Sequence, residues 1–281
     1  MPWSPAYTPG RTASSDSGLA KHGPRGNAAG MTDTSTETFA SFDGTELALH
    51  RMGEGRPVIL VHGLFSNAHT NWIKFGHAQK LAEAGFEAIM PDLRAHGQSA
   101  ALQDPAAYPP DVLVRDLEAL VEHLGVEDFD LVGFSLGART SARAAVKGLS
   151  PRMLVLSGMG LEGLAGWDKR AGFFIDAIDR FEHVKHGDPA FYAVSFMKTM
   201  KVDRPAMRLL LQSVDDTSAD DLKAVEMPTL ILCGADDRDN GDPQALADVL
   251  PDATLVEIPG THMSSVTEPA LGEGLVNFLS A

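Results

Sequence analysis

Residues 128–146, DFDLVGFSLGARTSARAAV, place a serine between two glycines where an apolar run meets a helix-forming segment. The run DFDLVGF has the composition of a buried strand, and the segment that begins at Leu136 is rich in alanine and arginine, which favour a helix. A strand that turns directly into a helix strains the backbone at the turn and leaves little room for side chains. Gly133 and Gly137 supply that room, so Ser135 is expected to stand exposed at the carboxyl end of the strand.

Similar apolar segments recur on both sides of this stretch. TFASF and TELALHRM, joined by Asp43-Gly44, read as an antiparallel strand pair. Amphipathic helices are expected near 71–84, near 111–124 and from Leu136 onward. Strands that are apolar on both faces and alternate with helices indicate an α/β fold, with a mostly parallel central sheet covered by helices on both faces. The predicted buried strands are PVILVHG, EAIMPDL, DFDLVGF, RMLVLSG, PTLILCG and ATLVEIP.

One interval between strands is too long for a simple crossover. Roughly seventy residues separate RMLVLSG from PTLILCG, where a crossover needs far fewer. The spacing of apolar residues in WDKRAGFFIDAIDRFEHV and PAFYAVSFMKTM is helical. We expect a small helical cap over 159–226 above the carboxyl edge of the sheet, between core segments 37–158 and 227–281. Its large apolar residues are Phe173, Phe174, Phe181, Phe191, Tyr192, Phe196 and Met197.

The amino-terminal segment differs in composition from the rest of the chain. Residues 1–30 are rich in proline, glycine, serine and alanine and lack a periodic apolar pattern. Such a segment buries too little apolar surface to offset the entropy of ordering, so we expect a disordered extension over 1–36. Met31 is an alternative start of the native protein.

Composition excludes several function classes. The net charge of −15, from 23 basic and 38 acidic side chains, disfavours nucleic acid as a partner. No apolar run reaches the roughly 18 residues of a membrane span. Cys233 is the single cysteine, so an internal disulfide is excluded, and no cysteine or histidine spacing indicates a metal site. We therefore expect a cytoplasmic protein with no metal or cofactor.

A serine nucleophile needs a base and an acid from loops at the same sheet edge. Among ten histidines, His262 in IPGTHMSSV follows the last predicted strand and precedes the last helix, so its loop emerges beside Ser135. The acid is expected from the loop after PTLILCG. Spacing alone leaves four candidates there: Asp236, Asp237, Asp239 and Asp242.

Taken together, the motifs VHGLFSN, PDLRAHGQS, GFSLG, LILCGADD and PGTHM resemble those of the α/β-hydrolase superfamily, in the branch with a lid after the sixth strand. The resemblance covers roughly residues 38–281 and implies an α/β-hydrolase fold. It also implies that the acid of the G-x-x-D pattern is Asp237 rather than Asp236. The oxyanion hole is then formed by the backbone N–H groups of Leu64 and Leu136.

The PDLRAHGQS loop carries further implications of the resemblance. Its Asp92 and Arg94 are mainly structural, as is His62 of the HG turn, and we interpret His96 as a loop residue. Ala95 stands where the family usually has glycine, so the backbone of this loop is expected to differ from that of its relatives.

The identity of the nucleophile narrows the expected reaction. Relatives that open epoxides or displace halide carry aspartate at the elbow, so Ser135 favours acyl chemistry. We expect a carboxylesterase for a small or medium, largely apolar small-molecule substrate. Carbon–carbon hydrolase, lactonase, thioesterase and cofactor-free perhydrolase activities, and a non-enzymatic ligand-binding role, stay open, as does the oligomeric state. The expected substrate-binding residues are Phe65, Phe134, Phe174 and Phe196.

Overall fold

The computed structural model describes residues 34–281, so the extension predicted over 1–36 lies outside the described residues up to residue 33. Within the described part, eight strands form one sheet in the order β1-β2-β4-β3-β5-β6-β7-β8. The strands are β1 (Ser35–Ala40), β2 (Glu46–Met52), β3 (Arg56–Val61), β4 (Phe86–Pro91), β5 (Asp130–Phe134), β6 (Leu154–Ser157), β7 (Thr229–Gly234) and β8 (Ala253–Ile258).

The sheet is antiparallel only at its β1 edge. β1 pairs with β2 and β2 with β4 in antiparallel register, and every later pairing is parallel. β3 and β5 lie at the centre, with Val61 opposite Gly133. Parallel strands end at the same sheet edge, so the HG turn after β3 and the serine turn after β5 become neighbours.

Helices cover both faces of the sheet, as the alternating pattern predicted. α1 and α9 pack together on one face, and α2 and α3 pack together on the other. The helices in the described residues are α1 (His77–Glu83), α2 (Val112–Leu124), α3 (Leu136–Val146), α4 (Leu161–Leu164), α5 (Trp167–Asp179), α6 (Phe191–Met200), α7 (Arg204–Ser213), α8 (Pro243–Val249) and α9 (Pro269–Leu279), with single short turns of π- or 3₁₀-helix between some of them.

Two apolar cores follow from this layering. Ile59 and Leu131 contribute to the core beneath α2 and α3, whereas Leu60 and Val132 contribute to the core beneath α1 and α9. Successive side chains of a strand point to opposite faces, so central strands must be apolar throughout. β8 does not follow the expectation that each strand is apolar on both faces. It is the edge strand, and its Val256 is 39% exposed.

Between β6 and β7 the chain forms the helices α4 to α7, in the interval where the sequence predicts a cap. α7 begins where the Asp203 carboxylate accepts the N–H of Ala206 and Pro205 occupies the first turn. Both features are strong signals for a helix start. Among residues 34–281, no helix has the length and apolar content needed to cross a membrane.

Candidate active site

Ser135 occupies a strained turn between β5 and α3. Its backbone has φ 54° and ψ −113°, a conformation that residues with a side chain rarely adopt. A Cβ atom added to Gly133 would lie 2.3 Å from the carbonyl oxygen of Gly137, and one added to Gly137 would lie 2.1 Å from that of Val61. Sterics therefore require glycine at both flanking positions.

His262 links Ser135 to a buried carboxylate. Its Nε2 lies 3.0 Å from the Ser135 Oγ, and its Nδ1 lies 2.8 Å from the Asp237 Oδ2. Burial raises the pKa of Asp237, but the hydrogen bond and charge of His262 and the backbone N–H of Asp239 outweigh burial, so this pKa lies below its ordinary value. An ionised Asp237 accepts a hydrogen bond from Nδ1–H, which leaves Nε2 as the acceptor for the serine hydroxyl.

The other three aspartates of the β7 loop have different roles. Asp236 is exposed and forms no hydrogen bond with His262. Asp239 donates its backbone N–H to Asp237 Oδ1 at 2.9 Å and so helps to fix the acid. Asp242 caps α8 by accepting the N–H of Gln244. Of the four aspartates, only Asp237 hydrogen-bonds to the imidazole.

Two residues with unpaired backbone N–H groups border the same cavity. Leu64 and Leu136 line the cavity that contains Ser135. Leu136 is the first residue of α3, so its N–H has no partner within the helix. Among the described residues, neither N–H donates to a protein acceptor. The oxyanion hole of Leu64 and Leu136 stays a prediction, and the amino-terminal end of α3 adds partial positive charge beside Ser135.

Two buried histidines form hydrogen bonds that connect the loop carrying Leu64 with the loop after β4. The backbone N–H of Leu93 donates to His62 Nε2 at 3.0 Å, and the N–H of Phe65 donates to His96 Nε2 at 3.0 Å. Burial lowers the pKa of His62, and it lowers that of His96 to about 3, so both rings stay neutral. His96 lies in the loop after β4, as interpreted from the sequence, and its ring is buried and accepts the N–H of Phe65 beside Leu64.

The loop after β4, which carries His96, also contains Ala95, Asp92 and Arg94. Ala95 has φ 62°, so alanine adopts the left-handed conformation that glycine favours. The presence of alanine has therefore not moved this residue into a conformation that alanine prefers, which is how a difference in the backbone would have been expected to appear. Asp92 accepts the N–H groups of Ala68 and Gln98, and Arg94 is fully buried between Asp43 and Asp116, so both have the structural role that the resemblance implied.

A cavity of about 260 Å³ opens beside Ser135 and His262. Its walls are mainly apolar, and they include all four phenylalanines expected to bind substrate: Phe65, Phe134, Phe174 and Phe196. The other large apolar residues predicted in the cap do not line it; these are Phe173, Phe181, Phe191, Tyr192 and Met197.

Sequence reasoning missed the polar part of this cavity wall. Arg139 and Arg170 both line the cavity, as do Asn71, Asn240 and Trp167. A signal was available on α5, because Arg170 lies three residues after Trp167 and four before Phe174. Those three positions share one helix face, which places Arg170 on the same side as two buried aromatic residues.

The acid and base also form a group with cation-binding spacing. Asp237, Asp239 and His262 place one ligand atom each within 4.8 Å of one another. However, both ring nitrogens of His262 take part in the hydrogen bonds to Ser135 and Asp237. We therefore interpret the group as a proton-transfer arrangement.

Comparison with known proteins supports the fold independently. A sequence model of the alpha/beta hydrolase fold matches residues 56–163. The chain is 28% identical over 226 residues to a non-heme haloperoxidase from Rhodococcus erythropolis, covering 70% of this chain and 80% of that one. It is 34% identical over 104 residues to an epoxide hydrolase from Caballeronia sordidicola, covering 37% and 31%.

A solved structure shows the same architecture over nearly the whole described chain. The esterase EaEST from Exiguobacterium antarcticum superposes with a TM-score of 0.72 at 18% identity, covering 87% of this chain and 99% of that one. The eight-stranded, mostly parallel sheet and its helical layers are those of the α/β-hydrolase fold. The fold and the matching sequence model support assignment of the chain to the α/β-hydrolase superfamily.

Proposed function

We propose that this protein is a serine hydrolase that cleaves a carboxylic ester of a small or medium, largely apolar substrate through an acyl-enzyme. The observation that carries the proposal is the chain of hydrogen bonds from Asp237 through His262 to Ser135. The serine, base and acid all lie at the carboxyl edge of the sheet, and the cavity opens onto the serine.

The proposed reaction begins when the Ser135 Oγ attacks the ester carbonyl while His262 Nε2 takes its proton. Asp237 orients the ring and stabilises the imidazolium that forms. The N–H groups of Leu64 and Leu136 meet the tetrahedral oxyanion, and each such donor contributes roughly 3 kcal/mol to transition-state stabilisation. His262 then protonates the leaving alcohol and activates a water molecule, which hydrolyses the acyl-enzyme and restores Ser135.

The similarity to a non-heme haloperoxidase favours a second candidate activity of the same site. If hydrogen peroxide replaces water as the acyl acceptor, its oxygen attacks the acyl-enzyme, His262 takes the proton, and a peroxyacid leaves in place of the carboxylic acid. No further residue is needed. The epoxide hydrolase similarity carries no comparable proposal, because Ser135 occupies the elbow and an aspartate nucleophile is lacking there.

The first experiment is labelling of the purified protein with a fluorophosphonate probe, in parallel with Ser135→Ala. We expect labelling of the wild type alone. A panel of p-nitrophenyl esters of increasing acyl length then measures turnover, with and without hydrogen peroxide. Undiminished labelling or turnover in the folded variant would show that Ser135 is not the nucleophile. A wild type that is neither labelled nor active would favour a ligand-binding role.

A further inference from the structure

The charge of the cavity wall is opposite to that of the protein. The whole chain has a net charge of −15, yet the charged side chains that line the cavity are two arginines, Arg139 and Arg170, and no carboxylate is among them. Positive charge in an apolar, partly closed site acts over a low local dielectric and attracts anions strongly. The site is therefore suited to a substrate that carries negative charge.

The two arginines differ in how fully they are paired. Arg139 donates to the carbonyl oxygen of Asp215 at 3.0 Å, to the carboxylate of Asp216 at 3.2 Å and to the carbonyl oxygen of Gly163, and it lies over the Trp167 ring. Its hydrogen-bonding capacity is largely used within the protein. Arg139 therefore supplies charge to the wall rather than free donors.

Arg170 retains most of its donors. This half-buried side chain on α5 donates one N–H to the backbone carbonyl of Asp239, and it forms no ion pair with any described residue. A guanidinium carries five N–H donors in a planar fork that matches a carboxylate. Burial lowers the pKa of Arg170 and the charges of Asp239 and Asp237 raise it, but neither carboxylate forms an ion pair with it, so its unused donors are left for an anionic ligand.

A second donor points to the same conclusion. The side-chain Nδ2 of Asn71, another residue of the cavity wall, is buried and has no hydrogen-bond partner among the described residues. Its Oδ1 accepts the backbone N–H of Gly63, so the amide orientation is set and Nδ2 stays buried and unpaired next to the cavity wall. The polar part of the wall thus offers unused donors and no acidic acceptor.

We infer that Arg170 binds a carboxylate carried by the substrate, so that the preferred ester is one with a free carboxylate on its acyl or its alcohol part. This inference rests on the proposed function and adds a substrate class to it. The apolar wall would hold the aliphatic or aromatic body of such a substrate, and Arg170 would fix its charged end while Ser135 attacks the ester.

The test compares matched charged and neutral esters. Monomethyl esters of succinic, glutaric, adipic and suberic acids place a carboxylate at increasing distance on the acyl side, and butyryloxyacetate places it on the alcohol side. Methyl esters of unbranched monocarboxylic acids of the same chain lengths are the neutral controls. Hydrolysis is followed by proton release for the wild type, Arg170→Met, Arg170→Lys and Lys169→Met. Lys169 is the exposed neighbour on α5, so its variant changes the net charge equally outside the cavity.

We expect the wild type to prefer at least one carboxylate ester over its neutral match, and Arg170→Met to lower kcat/KM for it about 10- to 100-fold, mainly through KM, as expected for one charge-assisted hydrogen-bonded pair. The loss for neutral esters should be at least tenfold smaller than the loss for the carboxylate ester, Arg170→Lys should recover part of the loss, and Lys169→Met should match the wild type. Equal losses for charged and neutral esters, or no preference in a wild type that hydrolyses neutral esters, would overturn this inference alone. An enzyme that hydrolyses neither and resists fluorophosphonate would instead overturn the proposed function.

Discussion

The backbone N–H of Phe65 donates to Nε2 of His96 across 3.0 Å, and this bond fixes the residue next to the proposed oxyanion donor Leu64. Phe65 has φ 61°, a strained value for a bulky side chain. The other ring nitrogen of His96 lies 2.9 Å from the carbonyl oxygen of Arg94, which makes Nδ1 the donor and Nε2 the acceptor. The loop after β4 therefore positions the loop after β3.

His96→Leu tests whether this support matters for the reaction. Leucine cannot accept the Phe65 N–H, so the loop should relax and the Leu64 donor should move away from the oxyanion. We expect kcat to fall by about tenfold or more, part of the 10²–10³ that a lost oxyanion donor costs, while KM changes little. His96→Gln retains an acceptor and should recover part of the rate. A thermal unfolding curve for each variant separates this effect from loss of fold, and an unchanged kcat in folded His96→Leu would contradict it.

The same histidine should make the protein sensitive to acid. Its folded pKa of about 3 lies below the unfolded value of 6.5, so stability is fully present above pH 6.5 and is lost as the pH falls toward 3. In that window the unfolded chain binds the proton and the folded chain does not. We expect the free energy of unfolding to fall by up to about 1.4 kcal/mol per pH unit from this group.

The contribution of His96 to the pH dependence of stability has to be separated from those of its neighbours His62 and Asp92. The ring faces His62 at a centroid distance of 5.0 Å, and the charges of His62 and Asp92 also act on it. The lowered pKa values of His62 and Asp92 add acid sensitivity of the same sign. Urea unfolding of the wild type and His96→Gln across this pH range should give a shallower slope for the variant. Parallel slopes would show that His96 titrates alike in both states.

Asp237→Asn should abolish most of the activity while Asp236→Asn should not. An amide at 237 can donate to Nδ1 and favour the wrong imidazole tautomer, which costs about 10⁴ in kcat in triads of this kind. Asp236 is exposed and does not contact His262, so its variant is the matched control. Steady-state kinetics on a p-nitrophenyl ester distinguishes the two. A large loss in Asp236→Asn alone would reassign the acid.

The sequence predicted the fold and the positions of Ser135 and His262 because both depend on local pattern and chain order. A buried strand followed by a helix places its connecting turn at the carboxyl edge of a parallel sheet, whichever side chains pack around it. The choice among four aspartates needed the resemblance to a family, since each is a short polar residue in one loop and only the bond to His262 separates them.

Sequence reasoning missed Arg170, the burial of His96 and α7. The helical spacing places Arg170 on one face with Trp167 and Phe174, but which way that face turns is decided by the packing of α5 against α6 and α7. The burial of His96 depends on the distant Phe65 N–H, a contact over 31 positions of sequence. α7 did carry a local signal, Asp203 followed by Pro205, which went unrecognised.

The strain at the elbow can be measured by replacing Ser135 with two residues that both lack the hydroxyl. At φ 54° and ψ −113°, alanine retains the steric cost of a Cβ atom and glycine does not. We expect the free energy of unfolding of Ser135→Gly to exceed that of Ser135→Ala by about 1 kcal/mol or more. The reason is that such a backbone conformation costs a residue with a Cβ atom about 1–3 kcal/mol. At an unstrained position glycine is the less stable of the two, because it loses more backbone entropy on folding. Urea unfolding of the two variants gives the difference directly, and an alanine variant of equal or greater stability would show that the turn stores no such strain.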